Sequence, residues 1–202
     1  TPIKELREMP REERTLLIAE HNLAVLREEL MEIRQRIHEG TLWEYLEEKA
    51  RAHPSLYRFL RKLSKFRRYI EALDPETHPR PHGLFFYHDT SPSRPEPLRH
   101  FTRLENVDPP SKKALVIKVA TKPYNRSWEY RYLKELVGER VHIIFYDPTF
   151  GAVPEELAEI YPLSQNEAEG ESEEARARLY EWLDRYDEVY TYGVDIPLVG
   201  KV

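Results

Sequence analysis

The sequence predicts an α/β protein in two parts: a set of N-terminal helices, then a small parallel-sheet domain. Three observations carry this. Residues 1–73 repeat apolar side chains at helical spacing, residues 113–202 alternate short apolar runs with amphipathic segments, and the 74–112 stretch between them is rich in Pro, His and Arg. With 202 residues and 40% of them hydrophobic, the chain has enough apolar material for a packed core, which excludes a disordered protein.

The helices come first. Pro10 suits a first helical position, and Glu12 and Glu13 lie in the favourable field of a helix start. Leu16, Leu17, Leu23, Leu26, Leu30, Ile33 and Ile37 then recur at helical spacing until Gly40 stops the segment. Thr41 opens a second helix, with Glu44 three residues on in a capping-box pattern. Pro54 starts a third, expected to run to about Leu73, where Asp74-Pro75 breaks it. At about 100° per residue, Leu56, Phe59, Leu60, Leu63, Phe66 and Ile70 fall on one side of this helix. Arg58, Arg61, Lys62, Lys65 and Arg68 fall on the other. Such a cationic stripe is either a solvated face or a contact for nucleic-acid phosphate.

The connecting stretch carries one short strand, Leu84–Tyr87, and a short helix around Pro97–Leu104, and Asp108-Pro109-Pro110-Ser111 reads as a domain boundary. After it the run 114–119 is almost continuously apolar, as in a buried parallel strand. A helix follows from Ser127, its N-cap, to Val137. Strands at 141–146 and 188–192, a short helix from Pro154 and a longer one over 173–186 complete a small parallel sheet covered on both faces.

Composition excludes several kinds of chemistry. The chain has no cysteine, so disulfides, thiolate nucleophiles and any cysteine-built metal site within it are ruled out. Its net charge of −5 leaves no global basic footprint, so nucleic acid would have to use a local patch. Charged residues at 33%, with 16 prolines against 7 glycines, suit a thermophile. No apolar run reaches membrane-span length and no signal peptide opens the chain, so a cytoplasmic protein is expected, with no membrane partner.

Ligands of open α/β sheets bind beyond the carboxyl ends of the strands. Three loops qualify: residues 121–126, residues 147–151 and the segment after Tyr192. The first leads into a helix N-terminus with Lys122 and Arg126 beside it, which either binds an anion or is an ordinary cap with two solvated cations. No paired acid and base, glycine-rich phosphate loop, nucleophile elbow or zinc-binding His-Glu helix stands out, so no catalytic residue is assigned. His21 sits in a regular amphipathic helix, where spacing alone favours an ordinary core or surface histidine over a metal ligand.

The run Glu5-Leu6-Arg7-Glu8-Met9-Pro10-Arg11-Glu12-Glu13-Arg14, with His21-Asn22-Leu23, Leu42-Trp43 and Ala50-Arg51-Ala52-His53-Pro54, resembles archaeal tRNA-guanine transglycosylases just after their Cys-x-Cys-x-x-Cys motif. Phe150-Gly151-Ala152-Val153-Pro154 and Tyr161-Pro162-Leu163-Ser164-Gln165 resemble the domain that follows. The resemblance implies the C-terminal part of such an enzyme, which exchanges a D-loop guanine of tRNA for preQ0 in archaeosine synthesis. It implies that residues 1–73 are helices closing a TIM-like barrel, and that His21 is the fourth ligand of a structural zinc whose cysteines lie outside this chain. It places the catalytic aspartates upstream. The implied partners are tRNA, a barrel portion or subunit carrying the cysteine motif, a PUA-containing subunit and a second copy of the chain.

The second domain also resembles the archaeosine synthase core, whose motif runs Pro-Cys, Lys-Pro-Tyr, Ser, His. Here Lys122-Pro123-Tyr124 and Ser127 remain, but Ile117-Lys118 and Tyr130 replace the Pro-Cys and His. Losing the thiol and the imidazole argues against the alternative activity, lysine transfer to preQ0-modified tRNA. A non-enzymatic RNA-binding scaffold subunit is the third reading.

Overall fold

The structure is a computed structural model, and it describes residues 2–73, 83–87 and 89–195. The expected stop at Asp74-Pro75 lies outside them. The chain divides into two compact units, Thr1–Lys49 and Ala50–Val202.

The first unit holds α1 (Ile3–Glu8), α2 (Arg11–Glu39) and most of α3 (Leu42–Ala50). Gly40 ends α2 as the sequence predicts. Its φ of 70° is the left-handed conformation that lets Thr41 N–H reach back 2.8 Å to the Arg36 carbonyl. The expected capping box at α3 does not form, because the Thr41 hydroxyl has no hydrogen-bond partner. Glu29 ties α3 to α2 by accepting from Tyr45 and, at 2.9 Å, from Lys49. No residue of α2 is buried, and Leu16, Leu23, Leu26, Leu30 and Ile37 are each more than half exposed.

In the second unit, the single helix expected from Pro54 to Leu73 is replaced by three pieces. These are α4 (Pro54–Leu60), a 3₁₀ turn at Leu63–Phe66 and α5 (Arg67–Leu73). The 3₁₀ turn changes the angular spacing, so the two-faced pattern computed for a continuous helix does not hold. Leu60 and Ile70 are buried, whereas Leu56, Phe59 and Phe66 are exposed. Tertiary packing sets the break. α5 lies on α6 (Pro95–Glu105), where Arg67 donates to the Thr102 hydroxyl at 2.6 Å.

Among the described residues six strands form two sheets. β1 (Leu84–Tyr87) pairs in parallel with β5 (Asn166–Glu169). The larger sheet has the order β4-β3-β2-β6, comprising Gly151–Pro154, His142–Asp147, Lys113–Ile117 and Glu188–Tyr192. β6, β2 and β3 are parallel, as expected. β4 is antiparallel to β3, which makes the sheet mixed and overturns the all-parallel expectation. Among the described residues the strands form no closed barrel.

Local chemistry explains the reversal. The Asp147 carboxylate accepts from the Thr149 and Phe150 amides at 2.8 and 2.9 Å, folding the chain back after β3. Gly151 then starts β4 at φ 71°, with the Ala175 carbonyl oxygen 2.3 Å from where a Cβ would stand. Pro154, expected to begin a helix, closes this edge strand, where its missing N–H costs no ladder bond, and caps the 3₁₀ turn Glu155–Leu157 that stands where the short helix was expected.

Side chains alternate between two cores. Leu115, Ile117, Ile143 and Phe145 face one, together with Leu133 of α7 (Trp128–Val137) and with Leu84 and Phe86 of β1. Ala114, Val116, Ile144 and Tyr146 face the other, with Phe101 and Leu104 of α6 and Leu179, Trp182 and Leu183 of α8 (Glu173–Leu183). Both faces are covered, as the apolar runs require.

Candidate functional site

Beyond the carboxyl ends of β2 and β3 a buried polar cluster joins three loops. Asp147 ends β3 and is fully buried. Lys122, in the loop after β2, donates to Asp147 Oδ2 at 3.0 Å. It also donates to the Asn166 backbone carbonyl and to Asn166 Oδ1, each at 2.8 Å. Tyr124 donates its hydroxyl to the same Asp147 oxygen. Asn166 Nδ2 in turn donates to the carbonyl of Leu163 at 2.8 Å and to that of Pro162 at 3.2 Å.

All three ammonium protons of Lys122 and both carboxylate oxygens of Asp147 are therefore used within the protein. Burial alone would raise the Asp147 pKa; the Lys122 charge, the Tyr124 hydroxyl and the Phe150 amide outweigh it and hold the group below the ordinary carboxylate range. Burial and the Asp147 charge push the Tyr124 hydroxyl well above its usual value. Phe145 stacks on the Tyr124 ring at 4.9 Å. A depression of about 540 Å³ opens beside Lys122, lined also by Gly83, Leu84, Phe85, Ser164, Gln165, Asn166 and Glu167. No nucleophile with an adjacent base faces it among these residues, and the cluster's chemistry is to pin loops together.

The anion-site residues are thus placed differently from one another. Lys122 is half-buried and turned inward, while Arg126 is exposed. The helix start beside them is capped by Ser127, whose hydroxyl accepts from Tyr130 N–H at 3.2 Å. Tyr130, standing where the synthase motif has histidine, donates to Glu155 at 3.0 Å, and Lys118 is exposed. The loop 147–151 supplies Asp147, whose role the sequence reading missed. A lone carboxylate ending an apolar run was the available signal. Asn166 gave no local signal, because its partner lies 44 residues away. Of the third loop, Gly193 to Asp195 are described and the remainder lies outside the described residues.

Arg58, Arg61, Lys62, Lys65 and Arg68 are all exposed. Arg58 lies 3.4 Å from the Ser55 hydroxyl. Arg67 alone in this segment turns inward, to Thr102 and, at 3.7 Å, Glu105.

His21 is exposed on α2, and the described residues contain no group of three or more His, Cys, Asp or Glu side chains able to hold a metal. One imidazole does not make a tetrahedral site. The described residues of this chain do not by themselves fit a structural zinc.

These features define a helical unit and an α/β unit with a cationic segment and no self-contained catalytic constellation among the described residues. Residues 3–55 match the family described as Queuine tRNA-ribosyltransferase. The chain is 70% identical over 200 residues to the tRNA-guanine(15) transglycosylase of Pyrobaculum aerophilum, covering 99% of this chain and 40% of that relative. It is 35% identical to the enzyme of that name from Saccharolobus solfataricus over 85% of this chain and 35% of the relative. It is 40% identical to that from Methanobrevibacter smithii over 81% of this chain and 26% of the relative. The resemblance read from the sequence holds: along nearly its whole length the chain is similar to archaeal tRNA-guanine transglycosylases. It spans 40% or less of the length of these three proteins.

Proposed function

We propose that the chain acts as the C-terminal part, or a subunit, of a tRNA-guanine transglycosylase that exchanges a D-loop guanine of tRNA for preQ0 in archaeosine synthesis. The observation that carries this is the 70% identity along 99% of the chain to a protein of that name. In this reading the displacement at ribose C1′ belongs to the portion of the relatives that this chain does not span. This chain supplies scaffold and tRNA contacts, in the cytoplasm.

Three features support the division of labour. The exposed leucines and isoleucines of α2 are the surface of a helix that closes a barrel provided from elsewhere. His21 adds a fourth ligand to three cysteines from that same portion. Arg58, Arg61, Lys62, Lys65, Arg68 and Arg126 meet tRNA phosphate, while Lys122 anchors the loop that presents Arg126.

The test is reconstitution. The chain is mixed with the complementary portion of the Pyrobaculum aerophilum relative, and labelled preQ0 incorporation into tRNA and zinc content are measured. Activity and stoichiometric zinc are expected in the mixture alone. Incorporation by this chain alone, or two portions that never associate, would overturn the reading.

A further inference from the structure

The segment 54–70 carries six cations and no carboxylate, in a chain whose net charge is −5. Its cationic side chains were legible in the sequence. Its aromatic ones were not, because a continuous helix would have buried Phe59 and Phe66. The observed break instead leaves Phe59 60% exposed, Phe66 52% and Tyr69 68%. Each ring follows a cation in the sequence: Arg58 before Phe59, Lys65 before Phe66 and Arg68 before Tyr69.

We infer that this segment is a stacking surface for unpaired RNA bases, with Phe59, Phe66 and Tyr69 taking the bases and Arg58, Arg61, Lys62, Lys65 and Arg68 tracking the phosphates. Charge complementarity selects the occupant. Six cations without one carboxylate call for an occupant that brings negative charge along its whole length, and three exposed rings call for one that also brings apolar faces. A polyanion with apolar faces satisfies both parts of the surface, and a single-stranded nucleic acid is such a polymer. Duplex RNA offers phosphates but keeps its base faces stacked, leaving the three rings without partners. The contrast with α2 is instructive. Its exposed Leu16, Leu23, Leu26 and Leu30 offer no ring to a base, and the helix carries seven glutamates against five arginines.

The inference deepens the proposed tRNA role by naming the form of RNA that is held: a loop or opened strand. It is tested without base exchange or the complementary portion, so its failure and that of the reconstitution are separable. The whole chain is titrated with a fluorescein-labelled oligouridylate of about 12 nucleotides and with a duplex of equal phosphate number, across a salt series. Tighter binding of the single strand is expected. Phe66→Ala and Tyr69→Ala should each weaken it about tenfold with the salt slope unchanged. Lys62→Gln should reduce that slope by about 0.7. All these side chains are exposed, and matched thermal melts confirm that each variant is folded. Preference for the duplex, indifference to loss of the rings, or no binding to either RNA would overturn the inference.

Discussion

Two buried side chains contribute to the acid response of the α/β unit at different pH. His100, on α6, is completely buried, with Nε2 2.7 Å from the Ala152 carbonyl oxygen and Nδ1 without a partner. A carbonyl only accepts, so Nε2 carries the proton and the ring is neutral. Burial pulls its pKa from 6.5 to about 4. Between those values the unfolded chain binds the extra proton and the folded chain does not. Stability from this group is therefore complete above about pH 6.5 and falls as the pH drops to about 4, by about 3 kcal/mol. Asp147 acts lower: its folded pKa is depressed, so its contribution is lost as the pH falls through and below the ordinary carboxylate value. Urea unfolding at pH 7 and 4.5 should show a smaller difference in His100→Gln than in the parent chain; equal differences would remove His100 as the source. The Lys122–Asp147 pair gives a second expectation. Lys122→Met leaves a buried carboxylate facing only a tyrosine and backbone amides, and should cost about 3 kcal/mol by denaturant melts. Adding Asp147→Asn should recover part of that loss, because the charge that lost its partner is removed with it.

At the scale of elements, what was legible depended on how local the signal was. α2 was read from the sequence because its apolar spacing is long and regular, and β2 and β3 because a continuous apolar run reports burial on both faces of a sheet. The stop at Gly40 was legible for the same reason, since one residue type does one conformational job there. The segment after Pro54 was misread because periodicity assumes an unbroken helix. The contacts that break it, Arg67 with Thr102 and Glu105, join positions 35 or more residues apart. β4 was missed for a subtler reason. Its four residues are too few to show alternation, and it is specified by the Asp147 turn and by the close approach of Gly151 to Ala175. β5 pairs with a strand some eighty residues earlier, and Gly83 allows it by passing 3.0 Å from the Gln165 carbonyl oxygen at the position of a Cβ. The site followed the same rule. Lys122 and Tyr124 were conspicuous in sequence, whereas Asp147 and Asn166, which decide what that lysine does, became visible only when the loops were brought together.

For the whole molecule the two units differ in what stabilises them. β2 and β3 are flanked by cores on both faces, and their amides are closed into ladders on both sides. α2 has 29 residues and none buried, so its stability rests on helix propensity, the Glu32–Arg36 pair and the ties from Glu29 to α3. Exposed pairs of this kind contribute little, and isolated helices in water are marginal. Hydrogen exchange should therefore show α2 amides opening with little protection while β2 and β3 exchange only through global unfolding. If α2 is a barrel-closing helix, adding the complementary portion of a relative should raise protection along α2 and leave β2 and β3 unchanged. Leu23→Asp with Leu30→Asp should abolish that gain while shifting the chain's own melt by no more than the helix-propensity cost of about 1 kcal/mol, since both side chains already face water. Strong α2 protection in the chain alone would mean that its apolar side chains are already covered, and would remove the need for a scaffold from outside.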